Sequence, residues 1–201
     1  MDINDIIMSK FSVQKNDVSP TVLGSRVRRG PVTRNDIAEL FGNAEFKIGA
    51  EIGVNTGKFS NLLLKCMGDG KLILVDPWGP YERCSAGRAE SHYQATLNRL
   101  DKYKNNIIVK RMTSMKAVEE IKDESLDFVY IDGLHDFNNA AMDIIRWVPK
   151  VRKGGIVSGH DYYNGPDFGV IQAVDSYTKC NHIDQWYITR EEVPSFFWVK
   201  K

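Results

Sequence analysis

A doubly wound α/β fold is the class this sequence predicts, on three observations. Beyond about residue 47, short β-rich runs alternate with segments of helical length. Several of the runs are apolar almost throughout, as strands covered on both faces must be. The unusual polar residues gather where those runs end, the edge at which sheets of this kind bind ligands.

Residues 1–44 fall outside the alternation and are read as an N-terminal lid or cap segment, with residues 45–201 as the main domain. "MDINDIIMSKF" is spaced as a short amphipathic helix. "NDVSPTVLGSRVRRGPVT", with its Gly and Pro, reads as loop and carries Arg26, Arg28 and Arg29. "TRNDIAELF" restarts a helix with Thr33 or Asn35 as cap. Five strands follow: "KIGAEIG", "KLILVD", "NIIVKRM", "LDFVYID" and "GGIVSGHD". Between them lie the helical segments "GKFSNLLLKCM", "GRAESHYQATLNRLDKY", "SMKAVEEI" and "FNNAAMDIIRWVPKV". The last has Phe137, Ala140, Ala141, Ile144, Ile145 and Val148 at helical spacing, which predicts one face packed on the sheet. "PDFGVIQAVDSYTKC" is a further helix. The runs "HIDQWYITR" and "SFFWVKK" are separated only by "EEVP", too short for a parallel crossover, so they should pair antiparallel.

The charges nearly balance, 27 basic against 26 acidic, so no strong field points to nucleic acid or an anionic membrane as partner. Cys66, Cys84 and Cys180 are odd in number and lack paired spacing, which suits reduced thiols. The first ten residues carry acids where a leader would carry bases, and no run approaches the ~20 apolar residues needed to span a bilayer. A cytoplasmic protein is the expectation.

Two motifs frame the chemistry. In "AEIGVNTGKFS" a strand runs through a Gly-rich turn into a helix, with Gly53 and Gly57 permitting close backbone approach. The spacing is neither G-x-G-x-x-G nor a P-loop. Glu51 lies inside the strand, where a carboxylate is costly unless paired or hydrogen-bonded. Asp76 ends "LILVDPW" about 20 residues on, placed to accept hydrogen bonds from ribose hydroxyls or simply to form a turn before Pro77. The stretch "YIDGLHDFNN" sets Asp132, His135 and Asp136 straight after an apolar run. Either an acid there caps the next helix, or the group is an active site. Asp136 is read as the cap and Asp143 as a solvated or ion-paired face residue. Tyr162, Tyr163 and Trp186 are either walls of an acceptor pocket or core.

"EIGVNTG", "LVDPW" and "YIDGLHDFNNAAMDIIRWVPKVRKGGIVSGHDYY", in that order, resemble the class I S-adenosylmethionine-dependent methyltransferases. Within them the chain is similar to the macrocin-type and catechol-type small-molecule O-methyltransferases, over about residues 45–180. The resemblance implies a Rossmann-like seven-stranded sheet, mostly parallel, with an antiparallel C-terminal strand. It implies that Glu51, Gly53, Asn55 and Gly57 line the methionine end of S-adenosyl-L-methionine, that Asp76 holds the ribose, and that Trp78 packs beside the adenine. Thr113 and Ser114 fall where relatives contact the adenine edge, although "RMTS" departs from the usual Gly-Asp-Ser-like sequence. Asp132 matches the first metal-binding acid of the catechol-type enzymes and also borders the cofactor. His160-Asp161 stands in place of their acid-amide pair, and His135 in place of the lysine that takes the substrate proton. The implied metal set is Asp132, His160 and Asp161, with His135 and Asp132 catalytic. A histidine ligand favours Mn or Fe over Mg, and a site without metal stays open.

The activity implied is methyl transfer to a hydroxyl of a small molecule or sugar. Two rivals stand beside it: a non-catalytic cofactor-binding module, and an NAD-dependent oxidoreductase, which the missing dinucleotide fingerprint disfavours. Nucleic acid and membrane are not expected partners. The oligomeric state is open, a homodimer included.

Overall fold

Apolar runs that are buried on both faces need cover on both faces, and the chain supplies it with helices above and below one sheet. The computed structural model describes residues 2–13, 19–24, 30–81 and 84–201. Eight strands are present: β1 (Thr21–Val22), β2 (Ile48–Ile52), β3 (Lys71–Val75), β4 (Ile107–Lys110), β5 (Leu126–Ile131), β6 (Val151–Gly159), β7 (Trp186–Ile188) and β8 (Phe196–Val199). Their order across the sheet is β1-β7-β8-β6-β5-β2-β3-β4. β4, β3, β2, β5 and β6 run parallel to one another, while β8 is antiparallel to both β6 and β7. The fold is therefore the doubly wound, Rossmann-like class expected.

The helices are α1 (Ile3–Lys10), α2 (Arg34–Asn43), α3 (Lys58–Met67), α4 (Ala86–Leu100), α5 (Ser114–Ala117), α6 (Phe137–Trp147) and α7 (Val170–Cys180). Side chains alternate across the pleat. Thus Phe128 and Tyr130 of β5 join α1, α2 and α3 in one core, while Val129 and Ile131 join α6 and α7 in the other. Phe41 stacks on Phe128 with ring centroids 4.0 Å apart, which fixes α2 against β5.

Two expectations need correction. The sheet has eight strands instead of seven, because Thr21–Val22, read as loop, pairs in parallel with Tyr187 and Ile188. Two residues are too few to display alternation, and the open edge of β7 supplies the partner. Asp143, read as a solvated face residue, is 5% exposed and lies under the turn that follows β5. In the segment before residue 45, Ile7, Phe11, Leu23, Ile37 and Phe41 share the core with β5 and α3. The "TRNDIAELF" start does take its expected form, with Thr33 and Asp36 as a reciprocal capping box. Arg26, Arg28 and Arg29 lie outside the described residues.

Candidate active site

Strand register brings the polar residues to one edge. Ile52 pairs with Val75 on one side and Ile131 on the other, and Ile131 pairs with Gly159. The loops after β2, β3, β5 and β6 therefore leave the sheet at one level, and Asn55, Asp76, Asp132, His135, His160 and Asp161 follow those ends.

The turn after β2 is held by Asp76. Its Oδ2 accepts from the backbone N–H of Val54 at 3.0 Å and of Asn55 at 2.9 Å, and its Oδ1 accepts from Trp78 N–H at 2.7 Å. A carboxylate taking three backbone donors is a strong local clamp. The Trp78 indole donates to the Asn55 carbonyl at 2.8 Å, and the Thr96 hydroxyl donates to the same carbonyl at 3.0 Å. Trp78 is buried, its ring 5.0 Å from that of Tyr93. Gly53, at φ 88°, has no room for a side chain, because a Cβ would lie 1.9 Å from the Asp132 carbonyl oxygen. The close approach it permits is thus to the β5 loop, which ties the two loops together.

Thr113 precedes α5 and Ser114 begins it. The Ser114 hydroxyl donates to Asp143 and accepts from the Trp147 indole at 2.7 Å. Burial raises the Asp143 carboxyl to about 6, against the lowering effect of the Ser114 hydrogen bond.

Beside the Gly-rich turn sits a knot of ionisable groups. Glu51 is 1% exposed and accepts from the Ser60 hydroxyl. Burial lifts it to about 8, opposed by Ser60 and by the charge of Arg34, so it is mostly protonated at neutral pH. His135 Nδ1 lies 3.2 Å from Asp161 Oδ2. His160 Nδ1 lies 3.3 Å from Asp161 Oδ1 and 3.9 Å from Asp132 Oδ1. The two aspartates move apart in acidity. Burial, then the Asp161 and Glu51 carboxylates, push Asp132 well above the usual range. Burial acts on Asp161 too, but hydrogen bonding to His160 and the charges of the two imidazoles hold it below that range. Two adjacent carboxyls that cannot both ionise share one proton in this way.

Three of the residues expected at the site lie together in the fold. Asp132, His135 and Asp161 each direct one ligand atom into a common space, all within 4.8 Å of one another. The expected metal set held His160 instead of His135; His160 Nδ1 sits beside the cluster, 3.3 Å from Asp161 Oδ1 and 3.9 Å from Asp132 Oδ1. Asp136 caps α6 through the Asn139 N–H. Trp186 is core, meeting Tyr162 edge-on, and the Tyr162 hydroxyl donates to Asp175 at 2.8 Å. Tyr163 faces the site through Phe168, whose ring centroid is 4.7 Å from that of Tyr163 and 4.8 Å from that of His135.

Sequence reasoning missed Arg34 and Phe168. Arg34 opens α2, spreads over the Phe59 ring at 5.3 Å, and sets Nη1 3.6 Å from Asp132 Oδ2. Its backbone N–H donates to Glu191 Oε1 at 2.7 Å, which anchors it to the β7–β8 connection. A signal existed: a cation in the first turn of a helix opposes the helix dipole.

With this geometry in view, the comparisons are specific. A family described as "Methyltransferase domain" matches residues 50–162, from β2 to just past His160-Asp161, more than half of the chain. The chain belongs to this family of methyltransferase domains. Among curated proteins, an uncharacterized protein of Sinorhizobium fredii, y4gI, is 28% identical over 87 residues, 43% of this chain and 10% of that protein. The chain therefore spans a tenth of the curated relative it matches. Among solved structures, the O-methyltransferase TomG of Streptomyces achromogenes, in complex with S-adenosylmethionine, superimposes with a TM-score of 0.63 at 14% identity, covering 84% of this chain and 80% of that one. An O-methyltransferase of Bacillus cereus, in complex with S-adenosylhomocysteine, gives 0.61 at 15% identity over 99% and 90%. At such identities these likenesses speak to the fold.

Proposed function

We propose that the protein transfers the methyl group of S-adenosylmethionine to a hydroxyl of a small molecule or sugar, with His135 as proton acceptor. The observation that carries this reading is the His135–Asp161–Asp132 cluster beside the Gly-rich turn of a methyltransferase-family chain. The two O-methyltransferase neighbours, bound to S-adenosylmethionine and S-adenosylhomocysteine, support the cofactor and the acceptor atom.

Methyl transfer from a sulfonium needs alignment and removal of one proton. Gly53, Asn55 and Gly57 shape the turn for the methionine end, with Glu51 and Asp132 behind it. Asp76, already clamping that turn, borders the ribose, and Trp78, Thr113 and Ser114 lie toward the adenine. Asp161 accepts from His135 Nδ1–H and leaves Nε2 as the base. His135 takes the hydroxyl proton as the oxygen bonds to the methyl carbon and the carbon–sulfur bond breaks. Phe168 and Tyr163 wall the acceptor side.

A second reading is favoured by the convergence of ligand atoms within 4.8 Å. Asp132, His135 and Asp161, with His160 adjacent, fit a divalent ion, and the mixed nitrogen and oxygen donors suit Mn or Fe better than Mg. Such an ion would acidify a bound hydroxyl.

The test is calorimetry with S-adenosylhomocysteine, then transfer of labelled methyl to panels of phenols, sugars and polyketides. His135→Ala and Asp132→Ala should each lower turnover roughly 10²–10⁴-fold, with S-adenosylhomocysteine affinity changed less than about tenfold. Loss of activity on chelation, restored by Mn, selects the metal reading; indifference to chelation selects the histidine alone. Turnover near wild type in both variants rejects the site.

A further inference from the structure

We propose that α6 is the face through which two copies of this chain pair, antiparallel about a two-fold axis at Ala141, so that each copy walls the rim of the other's site. Pairing of this kind goes beyond the methyl-transfer reading and does not depend on it.

Exposure singles out this face. Leu134, Phe137, Met142 and Ile145 are between 43% and 55% exposed, and among the described residues only Val22, Tyr81 and Ile108 add to the large apolar side chains left so open. The four gather on one element. α6 buries Ala140, Ile144 and Trp147 against the sheet and turns Phe137, Met142 and Ile145 outward, while Leu134 sits in the loop that enters it. Charge is missing from the same face. From Phe137 to Ile145 the sequence carries a single ionisable group, Asp143, and that one is buried. In a chain with 26% charged residues, a solvated helix face would carry more. Exposed apolar side chains without charge are the composition of an interface core. Nor is the face a loose end: a Cβ on Gly169 would lie 2.4 Å from the Phe137 backbone nitrogen, so the chain is packed tightly there.

What covers the face follows from the symmetry of its stripe. Phe137 stands four residues before Ala141 and Ile145 four after, so the three share one side of the helix. Two copies laid antiparallel with their Ala141 residues opposed bring each Phe137 to the partner's Ile145. A residue as small as alanine at the axis lets the helices approach to the usual distance of about 8–10 Å. The ends complement each other as well. Asp136 caps the N-terminal end, and Arg146 lies in the last turn. Antiparallel packing sets the acidic end of each helix against the basic end of its partner and opposes the two helix dipoles. Arg146 meets Glu119 at 3.9 Å, beyond hydrogen-bonding range, so its donors can turn to a partner. A surface that complements itself makes a closed, isologous pair; a foreign partner would need no such symmetry. Leu134 is next to His135 and lines the recess formed with Asp132, His160 and Asp161. The last turn of the partner's α6 comes to lie beside Leu134, and so closes a side of the site that one chain leaves exposed.

The test is sedimentation velocity on the full chain, without cofactor, from about 1 to 500 µM. It should show a reversible monomer–dimer equilibrium, because a contact built on one helix pair falls below the ~1,200 Å² of standard interfaces. Ile145→Glu, which drives a carboxylate into the apolar seam, should raise the dissociation constant at least about tenfold. Ile145 is half exposed in the single chain, so the variant should melt close to wild type. Ala141→Cys in a Cys180→Ser background carries the test if the Glu variant does not fold. A short bismaleimide should then join position 141 of one copy to position 141 of the other, as read by mass spectrometry of the linked peptides. A wild type that is monomeric throughout overturns the assignment. So does a dimer whose dissociation constant Ile145→Glu leaves unchanged. A link from position 141 to another part of the chain, in place of its own copy, marks a head-to-tail contact and overturns it too.

Discussion

Asp143 shows how a single carboxyl can be misread from position alone. It follows Ala140 by three residues on α6, yet its burial comes from Ser114, 29 residues earlier, and from the turn at Gly133, whose Cβ would lie 3.1 Å from Asp143 Oδ2. No local pattern announces such a partner. The consequence is measurable. Its carboxyl is raised from 3.8 to about 6 by burial, so between those values the folded state holds a proton that the unfolded chain has released. Stability from this group is full below pH 3.8 and is lost as pH rises through about 6. A shift of about two units corresponds to roughly 2–3 kcal/mol. Asp143→Asn keeps an acceptor for Ser114 and removes the titration. The variant should match wild type near pH 4 and exceed it by up to that amount at pH 7.5, in denaturant melts. Parallel pH slopes for the two proteins would show that Asp143 titrates normally. Arg34 is the converse case: its residue type at a helix start was visible, but the partner Asp132 lies 98 positions away and only the fold joins them.

The elements built from long runs were legible because their patterns are long. β5 and β6 read as apolar strands, and α6 as an amphipathic helix, and all three appear where the periodicity places them. The N-terminal elements were legible by type but not by role. Ile3, Ile6 and Ile7 have helical spacing, and α1 forms there. What periodicity does not reveal is that α1 packs into the main core and that Thr21–Val22 extends the sheet. Within residues 1–30, Ile3, Ile6, Ile7, Phe11, Val13 and Leu23 are all buried. Each such side chain contributes about 1.5–3 kcal/mol, and several together rival the 5–15 kcal/mol that holds a typical domain. Deleting residues 1–30 should therefore lower Tm by more than about 10 °C or leave the chain insoluble, not merely uncap a pocket. A truncated protein melting within about 3 °C of full length would instead support a lid or cap that the core does not need.

At the scale of the molecule, the site draws on loops after four strands and on the start of α2, so a ligand that fills it links distant parts of the chain. Binding only to the folded state stabilises it by about 2.7 kcal/mol at one hundred times Kd. For a chain of this size, S-adenosylhomocysteine at that excess should raise Tm by about 5–10 °C. An unchanged melt would mean that the site does not take this ligand. The antiparallel strand β8 has a different kind of consequence, one of timing. It lies between β6 and β7, so the sheet beyond β6 cannot form until residues 196–199 have left the ribosome. β1 has its partner at 187–188 and must wait until those residues have been made. Closing so long a loop is slow, and an unpaired edge invites wrong partners meanwhile. A nascent chain stalled before Phe196 would present the open edge of β6, with Ile156 and Val157 uncovered, to whatever chaperone or second nascent chain it met first.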